Sequence, residues 1–211
     1  MSVSGSLHGG AAGLPSPNPV ATLADYRDRP TRQELTARVG MVVFLGSWIM
    51  LFAGLLFTYG LVRSRAPVWP PLDQPRLPLL LPGINTVAIA ASSAALVAAQ
   101  RALRAGRQRS SGARLALAVL LGTLFLALQL VVWVALWRAG LLPSGGPYPS
   151  VFYGLTVLHA LHVAVGLVAL GLLAVRALAG RARRLAVDLW SMYWHAVGAV
   201  WVVLFASVYV S

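Results

Sequence analysis

Five long stretches without a charged residue alternate with short segments rich in arginine. The stretches cover residues 39–62, 77–100, 115–137, 139–175 and 189–211. A helix that crosses a bilayer needs about 20 mostly apolar residues. These runs are continuous and lack the alternation of a strand, and the structures that span lipid are helices or closed barrels. The pattern therefore predicts an all-α fold, a polytopic membrane bundle of five transmembrane helices.

The helices are predicted at about 39–62, 78–100, 115–137, 151–175 and 189–210. The fourth run opens with Leu142-Pro-Ser-Gly-Gly-Pro-Tyr-Pro149, so its helix is expected to begin near Ser150. Residues 1–30 are rich in Gly, Ser, Ala and Pro and are predicted to be a disordered tail, with the membrane domain at 31–211. Thr31-Arg-Gln-Glu34 matches a capping box and predicts a short interfacial helix leading into the first span.

The arginines predict how the bundle is oriented. All 17 basic residues are arginines, and thirteen of them fall in the N-terminal tail and the second and fourth connections. Cytoplasmic segments carry the excess of positive charge, which places the N-terminus and the tail inside and the C-terminus outside. The net charge of +12 does not indicate nucleic-acid binding, because the arginines lie at the ends of apolar segments. The expected location is the bacterial plasma (inner) membrane.

Acidic residues are absent from the core of every predicted helix. The five are Asp25, Asp28, Glu34, Asp73 and Asp188, in the tail, the loops or the helix edges. Because proton relays and ion transporters rely on ionisable groups inside the membrane, this distribution disfavours a transporter. There is no cysteine, which excludes a disulfide, a thiolate metal site or an iron–sulfur cluster.

Three histidines lie inside the last two apolar runs. His159 and His162 are three residues apart and share a helix face. His162 and His195 have similar estimated depths, so a contact between the fourth and fifth helices would bring them together. They are candidates for haem ligands, for part of a metal site, or for contacts with a lipid, a helix or a partner subunit. The contact role is favoured, because three histidines on two adjacent helices suit neither a pair of haem ligands nor a closed metal site.

A set of motifs in order along the chain resembles the subunit III family of haem–copper respiratory oxidases. The first three helices contribute Gly40-Met-Val-Val-Phe-Leu-Gly-Ser47, Phe52-Ala-Gly54, Arg63 with Trp69-Pro-Pro71, Asn85-Thr86, Ser92-Ser93, Leu121-Gly122, Phe125 and Gln129. The last two contribute Phe152-Tyr153, Thr156, His159-Ala-Leu-His162-Val163, Gly166, Tyr193-Trp194-His195, Val197, Val200-Trp201 and Tyr209. Five helices with the N-terminus inside match the shorter bacterial form of the family.

The resemblance implies a non-catalytic integral subunit of a cytochrome c oxidase, without a haem, copper or other metal of its own. Oxidase subunits I and II would be its partners, with the haem and copper in those partner subunits. The chain would stabilise subunit I, hold phospholipid, and support electron transfer to oxygen coupled to proton translocation. The residues expected to contact lipid or another subunit are His159, His162, Trp194, His195, Trp69 and Arg63.

Three positions depart from the family's pattern. Where the family commonly has buried carboxylates, this chain has Trp48, Val132 and Gly198. Roles in proton movement that depend on those carboxylates therefore do not transfer to this chain. Two alternatives remain. The departures allow a subunit III-like protein of a quinol oxidase or nitric oxide reductase. From another class, His162 and His195 allow a small membrane b-type cytochrome.

Overall fold

A computed structural model of the chain describes residues 31–69, 71, 75 and 77–210. The helices are α1 (Arg32–Arg65), α2 (Leu80–Arg104), α3 (Gln108–Arg138), α4 (Pro147–Leu178) and α5 (Arg184–Leu204), and Phe205–Val210 continues α5 as a π-helix. All five are long and apolar enough to cross a membrane, and the described residues contain no strand. The predicted fold class of five membrane-spanning helices is confirmed. The predicted orientation stays a prediction, and the predicted tail at 1–30 lies outside the described residues.

Each helix, with the π-helical end counted as part of α5, is longer than the range predicted for it. Most of the extra residues are arginines and their neighbours at the helix ends, such as those in 101–104 and 63–65. Arginine is a good helix former, and a helix continues past the hydrocarbon core into the headgroup region, so charge marks the membrane boundary rather than the helix end. The start of α4 moves from the predicted Ser150 to Pro147 because proline is tolerated in the first helical turn.

The predicted capping box is present at the start of α1. The Thr31 backbone N–H donates to Glu34 Oε2 at 3.2 Å, and the Glu34 N–H donates to Thr31 Oγ1 at 3.3 Å. Within the described residues this capped turn is the first turn of α1 itself and not a separate interfacial helix. Contacts divide the chain into two units after Thr36, and this capped turn belongs to the first of them.

Replacing Thr31 with alanine is expected to fray this turn. The substitution removes the acceptor of the Glu34 N–H, and loss of such a cap costs about 1 kcal/mol. Hydrogen exchange of the Glu34 amide should accelerate. Thr36→Ala is the control, because the Thr36 hydroxyl donates only to the Arg32 carbonyl within the helix. Equal exchange of the Glu34 amide in both variants would contradict the capping role.

Three glycines reverse the chain between successive helices. Gly106, Gly140 and Gly180 follow the ends of α2, α3 and α4 with φ of 75°, 91° and 72°. Such left-handed conformations favour glycine at this position of a helix end. The Arg107 N–H donates back to the Ala102 carbonyl at 2.9 Å, and equivalent bonds close the other two turns. These tight ends let α2–α5 follow one another as antiparallel neighbours.

Helices α2 to α5 form a ring in which α2 packs on α3, α3 on α4, α4 on α5 and α5 on α2. Helix α1 lies beside this ring and contributes large buried side chains rather than close backbone approach. The buried residues of α1 are Leu45, Trp48, Phe52 and Tyr59. The four glycines of α1 have open space where a Cβ would lie, so α1 makes its contacts through bulky side chains on one face.

Candidate functional site

Trp194 of α5 lies at the centre of the helix ring. Its side chain is fully buried, and it fills space that two glycines leave open. A Cβ at Gly122 of α3 would lie 2.7 Å from the indole, and a Cβ at Gly166 of α4 would lie 2.8 Å from it. Small residues that let helices approach closely are typical of packing inside membranes. A larger residue at Gly122 or Gly166 would clash with the Trp194 indole, so the packing of this side chain requires glycine at both positions.

A chain of hydrogen bonds ties Trp194 to two more helices. The indole Nε1–H donates to Ser92 Oγ of α2 at 3.1 Å. The Ser92 hydroxyl in turn donates to the Ala118 carbonyl of α3 at 2.8 Å. Trp194 thus contacts the three other helices of the ring. It packs against glycines of α3 and α4 and donates a hydrogen bond to α2.

His159 of α4 lies in a cage of aromatic rings from three other helices. Its ring centroid is 6.1 Å from Phe52 of α1, 6.1 Å from Phe125 of α3 and 5.6 Å from Trp201 of α5. Only 1% of the residue is exposed, and neither ring nitrogen has a hydrogen-bond partner. Rings occupy the space around the imidazole, which suits a packing role better than axial ligation of a haem.

His162 of α4 lies between α1 and α5. Its ring centroid is 4.6 Å from Trp48 and 5.7 Å from Phe52, both of α1, and its Nδ1 lies 2.7 Å from the Leu158 carbonyl. The Tyr193 hydroxyl of α5 donates to the His162 carbonyl at 3.0 Å. We call the five residues of this region the aromatic layer: Trp48, Phe52, His159, His162 and Tyr193.

The aromatic layer joins α1 to α4 and α5. Tyr193 also stacks on Trp48 with centroids 5.8 Å apart. At this depth α4 and α5 are linked by the hydrogen bond from the Tyr193 hydroxyl to the His162 carbonyl. His195 is half-buried, and in the described part of the chain no hydrogen bond or ring contact joins it to His162. The predicted contact of His195 with a lipid, another helix or a partner subunit stays a prediction.

The three positions that lack the family's carboxylates are filled by packed or apolar groups. Trp48 is 5% exposed within the aromatic layer, and Val132 is fully buried in the core. A Cβ at Gly198 would meet Ser93 Oγ at 3.6 Å and Ile89 at 3.8 Å, which are ordinary contacts. A buried carboxylate needs a paired charge, and the neighbours of Gly198, Ser93 and Ile89, supply none.

A buried polar network, not expected as a site from the sequence, joins α2, α3 and the π-helical end. Asn85 Nδ2 donates to Gln129 Oε1 at 3.3 Å, and Gln129 Nε2 donates to the Tyr209 hydroxyl at 3.2 Å. The three residues are 0%, 1% and 6% exposed. In the sequence, the amide side chains of Asn85 and Gln129 inside apolar runs could have indicated a buried polar contact. The π-helix that places Tyr209 has no recognisable sequence pattern.

Replacing Gln129 with leucine is expected to destabilise the bundle. The change removes the acceptor of Asn85 and the donor to Tyr209, and each polar group left unpaired in the core costs about 1–3 kcal/mol. Thermal unfolding in detergent is the measurement, with Thr123→Val of α3 as the control, because that hydroxyl bonds within its own helix to the Val119 carbonyl. Equal midpoints for the two variants would show that the network contributes nothing to stability.

Trp69 and Arg63 lie near the end of the bundle opposite Asp188. The Trp69 ring packs edge-on against Tyr59 at 5.5 Å and against Tyr148 at 4.8 Å, which links the end of α1 to the start of α4. Arg63 is half-buried in the last turn of α1. Their predicted contacts with lipid or another subunit stay predictions, as do those of the histidines and Trp194.

Asp188 holds three helices together at the other end. Its carboxylate accepts from Gln100 Nε2 at 3.0 Å and lies 3.5 Å from both Arg38 and Arg104. Those partners come from α1 and α2, while Asp188 begins the second turn of α5. Among the described residues, no group of three or more His, Cys, Asp or Glu side chains is placed to hold a metal ion.

Comparison with known proteins gives one consistent family. The model of the family described as cytochrome c oxidase subunit III matches residues 22–211. A cytochrome c oxidase subunit 3 from Synechocystis is 36% identical over 178 residues, which cover 81% of this chain and 73% of that protein. One from Prototheca wickerhamii is 31% identical, covering 82% and 68%, and one from Cyprinus carpio is 30% identical, covering 89% and 74%.

Proposed function

Because the chain belongs to the cytochrome c oxidase subunit III family, we propose that it works as a non-catalytic subunit that stabilises subunit I and holds phospholipid. The family assignment places the chain in an oxidase complex with other subunits. Subunits I and II are the proposed partners, and the haem and copper centres belong to them. Cytochrome c is the proposed electron donor of the complex, as the names of the relatives suggest.

The single observation that best supports this role is the way His159 is packed. A histidine that ligates a haem or a metal ion needs a ring nitrogen that faces space for the metal. His159 instead has aromatic rings from α1, α3 and α5 around it at 5.6–6.1 Å. The chain thus uses the most polar side chain of this region as a packing element, which fits a subunit whose work is structural.

The wide spacing between α1 and the ring of helices supports the lipid role. Helix α1 contacts α4 and α5 mainly through the aromatic layer, while its other faces carry exposed apolar side chains such as Met50 and Phe57, 77% and 74% exposed. In a membrane protein such surfaces face acyl chains or a neighbouring subunit. His162 and Trp69 are half-buried, pack against Trp48 and Tyr59 of α1, and are proposed as contact residues.

The proposed placement is the bacterial plasma membrane with the N-terminus inside. The end of the bundle that holds Arg104, Arg107 and Arg184 carries most of the arginines, in keeping with the positive charge of cytoplasmic segments. The five spans support a multi-pass membrane protein.

Comparing oxidase purified with and without this chain tests the role. Without the chain, the visible spectrum per subunit I should be unchanged. The thermal midpoint followed by haem absorbance should be lower, and the phospholipid phosphorus per haem should fall. A loss of haem in proportion to the missing chain would overturn the non-catalytic proposal, whereas an unchanged midpoint and lipid content would overturn the stabilising and lipid roles.

A further inference from the structure

One end of the bundle carries a large excess of positive charge. Among the described residues from Ala37 onward, Asp188 is the only acidic side chain. The arginines at the same end are Arg38, Arg101, Arg104, Arg107, Arg109, Arg114, Arg176, Arg181, Arg183 and Arg184. A net charge of this size on one surface attracts anionic partners.

Contacts inside the chain account for only four of these arginines. Arg38 and Arg104 share Asp188, Arg114 donates to the Ala98 carbonyl, and Arg184 donates to the Arg104 carbonyl. The other six are exposed, and within the described residues their side chains have no hydrogen bond or ion pair. They are Arg101, Arg107, Arg109, Arg176, Arg181 and Arg183.

Two of the unpaired arginines line an open pocket of about 670 Å³ between the start of α3 and the end of α4. Arg107, Arg109 and Ser110 lie on one side of it, and Leu178 to Gly180 lie on the other. A hydrogen bond from Gln108 Nε2 to the Ala182 carbonyl at 3.2 Å joins the start of α3 to the chain that follows α4, and so holds the two sides of the pocket in place.

An apolar surface begins where the pocket ends. Leu178 lines the pocket, and Leu172, Val175 and Leu178 along α4 are 60%, 66% and 49% exposed. Cationic groups near the helix end are thus followed directly by an apolar strip that runs into the membrane span. A ligand for the whole surface needs an anionic head and hydrocarbon chains.

We infer that the pocket of Arg107 and Arg109 binds the headgroup of an anionic phospholipid, whose acyl chains lie along Leu172, Val175 and Leu178 of α4. The two guanidinium groups pair with the phosphate, and the Ser110 hydroxyl is a further donor at that depth. An acidic segment of another protein would pair with the arginines but would leave the apolar strip uncovered. The surface belongs to this chain alone, so the inference does not depend on the proposed partners.

The test is lipid competition followed by native mass spectrometry. The purified particle that contains this chain is incubated in micelles with equal amounts of phosphatidylglycerol and phosphatidylcholine carrying the same acyl chains. The ratio of the two bound lipids is measured for wild type, R107Q/R109Q and the control R101Q/R183Q. The control also removes two exposed positive charges, but from positions outside the pocket.

Wild type should retain more phosphatidylglycerol than phosphatidylcholine. Each arginine near an anionic headgroup contributes about a fivefold preference, so R107Q/R109Q should lower the ratio by about fivefold or more. The control should keep a ratio close to that of wild type. A thermal midpoint equal to that of wild type shows that R107Q/R109Q is folded.

Three results would overturn the inference. Equal retention of the two lipids by wild type would show that the pocket does not select an anionic headgroup. An equal fall of the ratio in both double variants would assign the preference to diffuse charge rather than to this pocket. Loss of another subunit from R107Q/R109Q with an unchanged lipid ratio would identify an acidic protein segment as the occupant.

Discussion

Replacing Gly166 with alanine is expected to lower the thermal midpoint of the chain in detergent. The added methyl group would lie 2.8 Å from the indole of Trp194 and 3.1 Å from the ring of Tyr193. Trp194 is also confined by Gly122 and hydrogen-bonded to Ser92, and Tyr193 is held by its hydrogen bond to the His162 carbonyl, so neither ring can move freely. Inserting a methyl group into a packed core costs about 1–3 kcal/mol.

Gly171→Ala in the same helix is the matched control. A Cβ at Gly171 meets no atom within 4 Å, so this substitution adds a better helix former without a clash. Its midpoint should equal or exceed that of wild type, while that of Gly166→Ala falls. Equal thermal midpoints for Gly166→Ala and Gly171→Ala would refute the close approach of α4 to Trp194.

Trp194→Ala should cause a larger loss than any other single substitution considered. It leaves a cavity the size of an indole at the meeting point of α2, α3, α4 and α5, and it removes the donor to Ser92. Tryptophan-to-alanine changes in water-soluble cores cost about 3–5 kcal/mol. In a bilayer the packing part of that cost remains, because helix association depends on van der Waals contact.

Recovery of the chain with its oxidase complex, and its thermal midpoint, are the measurements for Trp194→Ala. The control is Trp137→Ala, since Trp137 at the end of α3 is 60% exposed. A third variant, Ser92→Ala, removes the hydrogen bond and keeps the indole, and it should lose less than Trp194→Ala. If Trp194→Ala and Trp137→Ala are recovered equally, Trp194 does not hold the ring together.

The number of helices and the family could be predicted from sequence for clear physical reasons. The bilayer requires about 20 apolar residues for each span, and five charge-free runs meet that length. Arginines at the ends of the runs mark the membrane boundary. The capping box was also predictable, because the bonds of Thr31 and Glu34 are local.

The contacts of the histidines could not be predicted from the same patterns. Depth estimates correctly brought α4 and α5 together near His162, but they could not indicate how each helix is rotated about its axis. The rotation is set by large side chains, such as Trp48 on α1 and Tyr193 on α5, that are far apart in the chain. The bond at His162 is therefore made by Tyr193, two residues before His195.

At one of the three positions where the resemblance implies a carboxylate, the structure shows what this chain has in its place. The Trp48 ring contacts His162, Phe52 and Tyr193 at 4.6–5.8 Å. A packed aromatic layer avoids the cost of placing a charge inside a membrane. At the depth of the aromatic layer, α1 is joined to α4 and α5 without a charged group on α1.

Affinity purification of the tagged chain in mild detergent, with mass spectrometry and a visible spectrum on the same sample, tests the central claim most directly. The account predicts co-purification with a haem–copper subunit I and a subunit II, and a haem content explained entirely by those partners. Recovery of the chain alone, with a haem spectrum stoichiometric with the protein, would contradict it and make the histidines ligands.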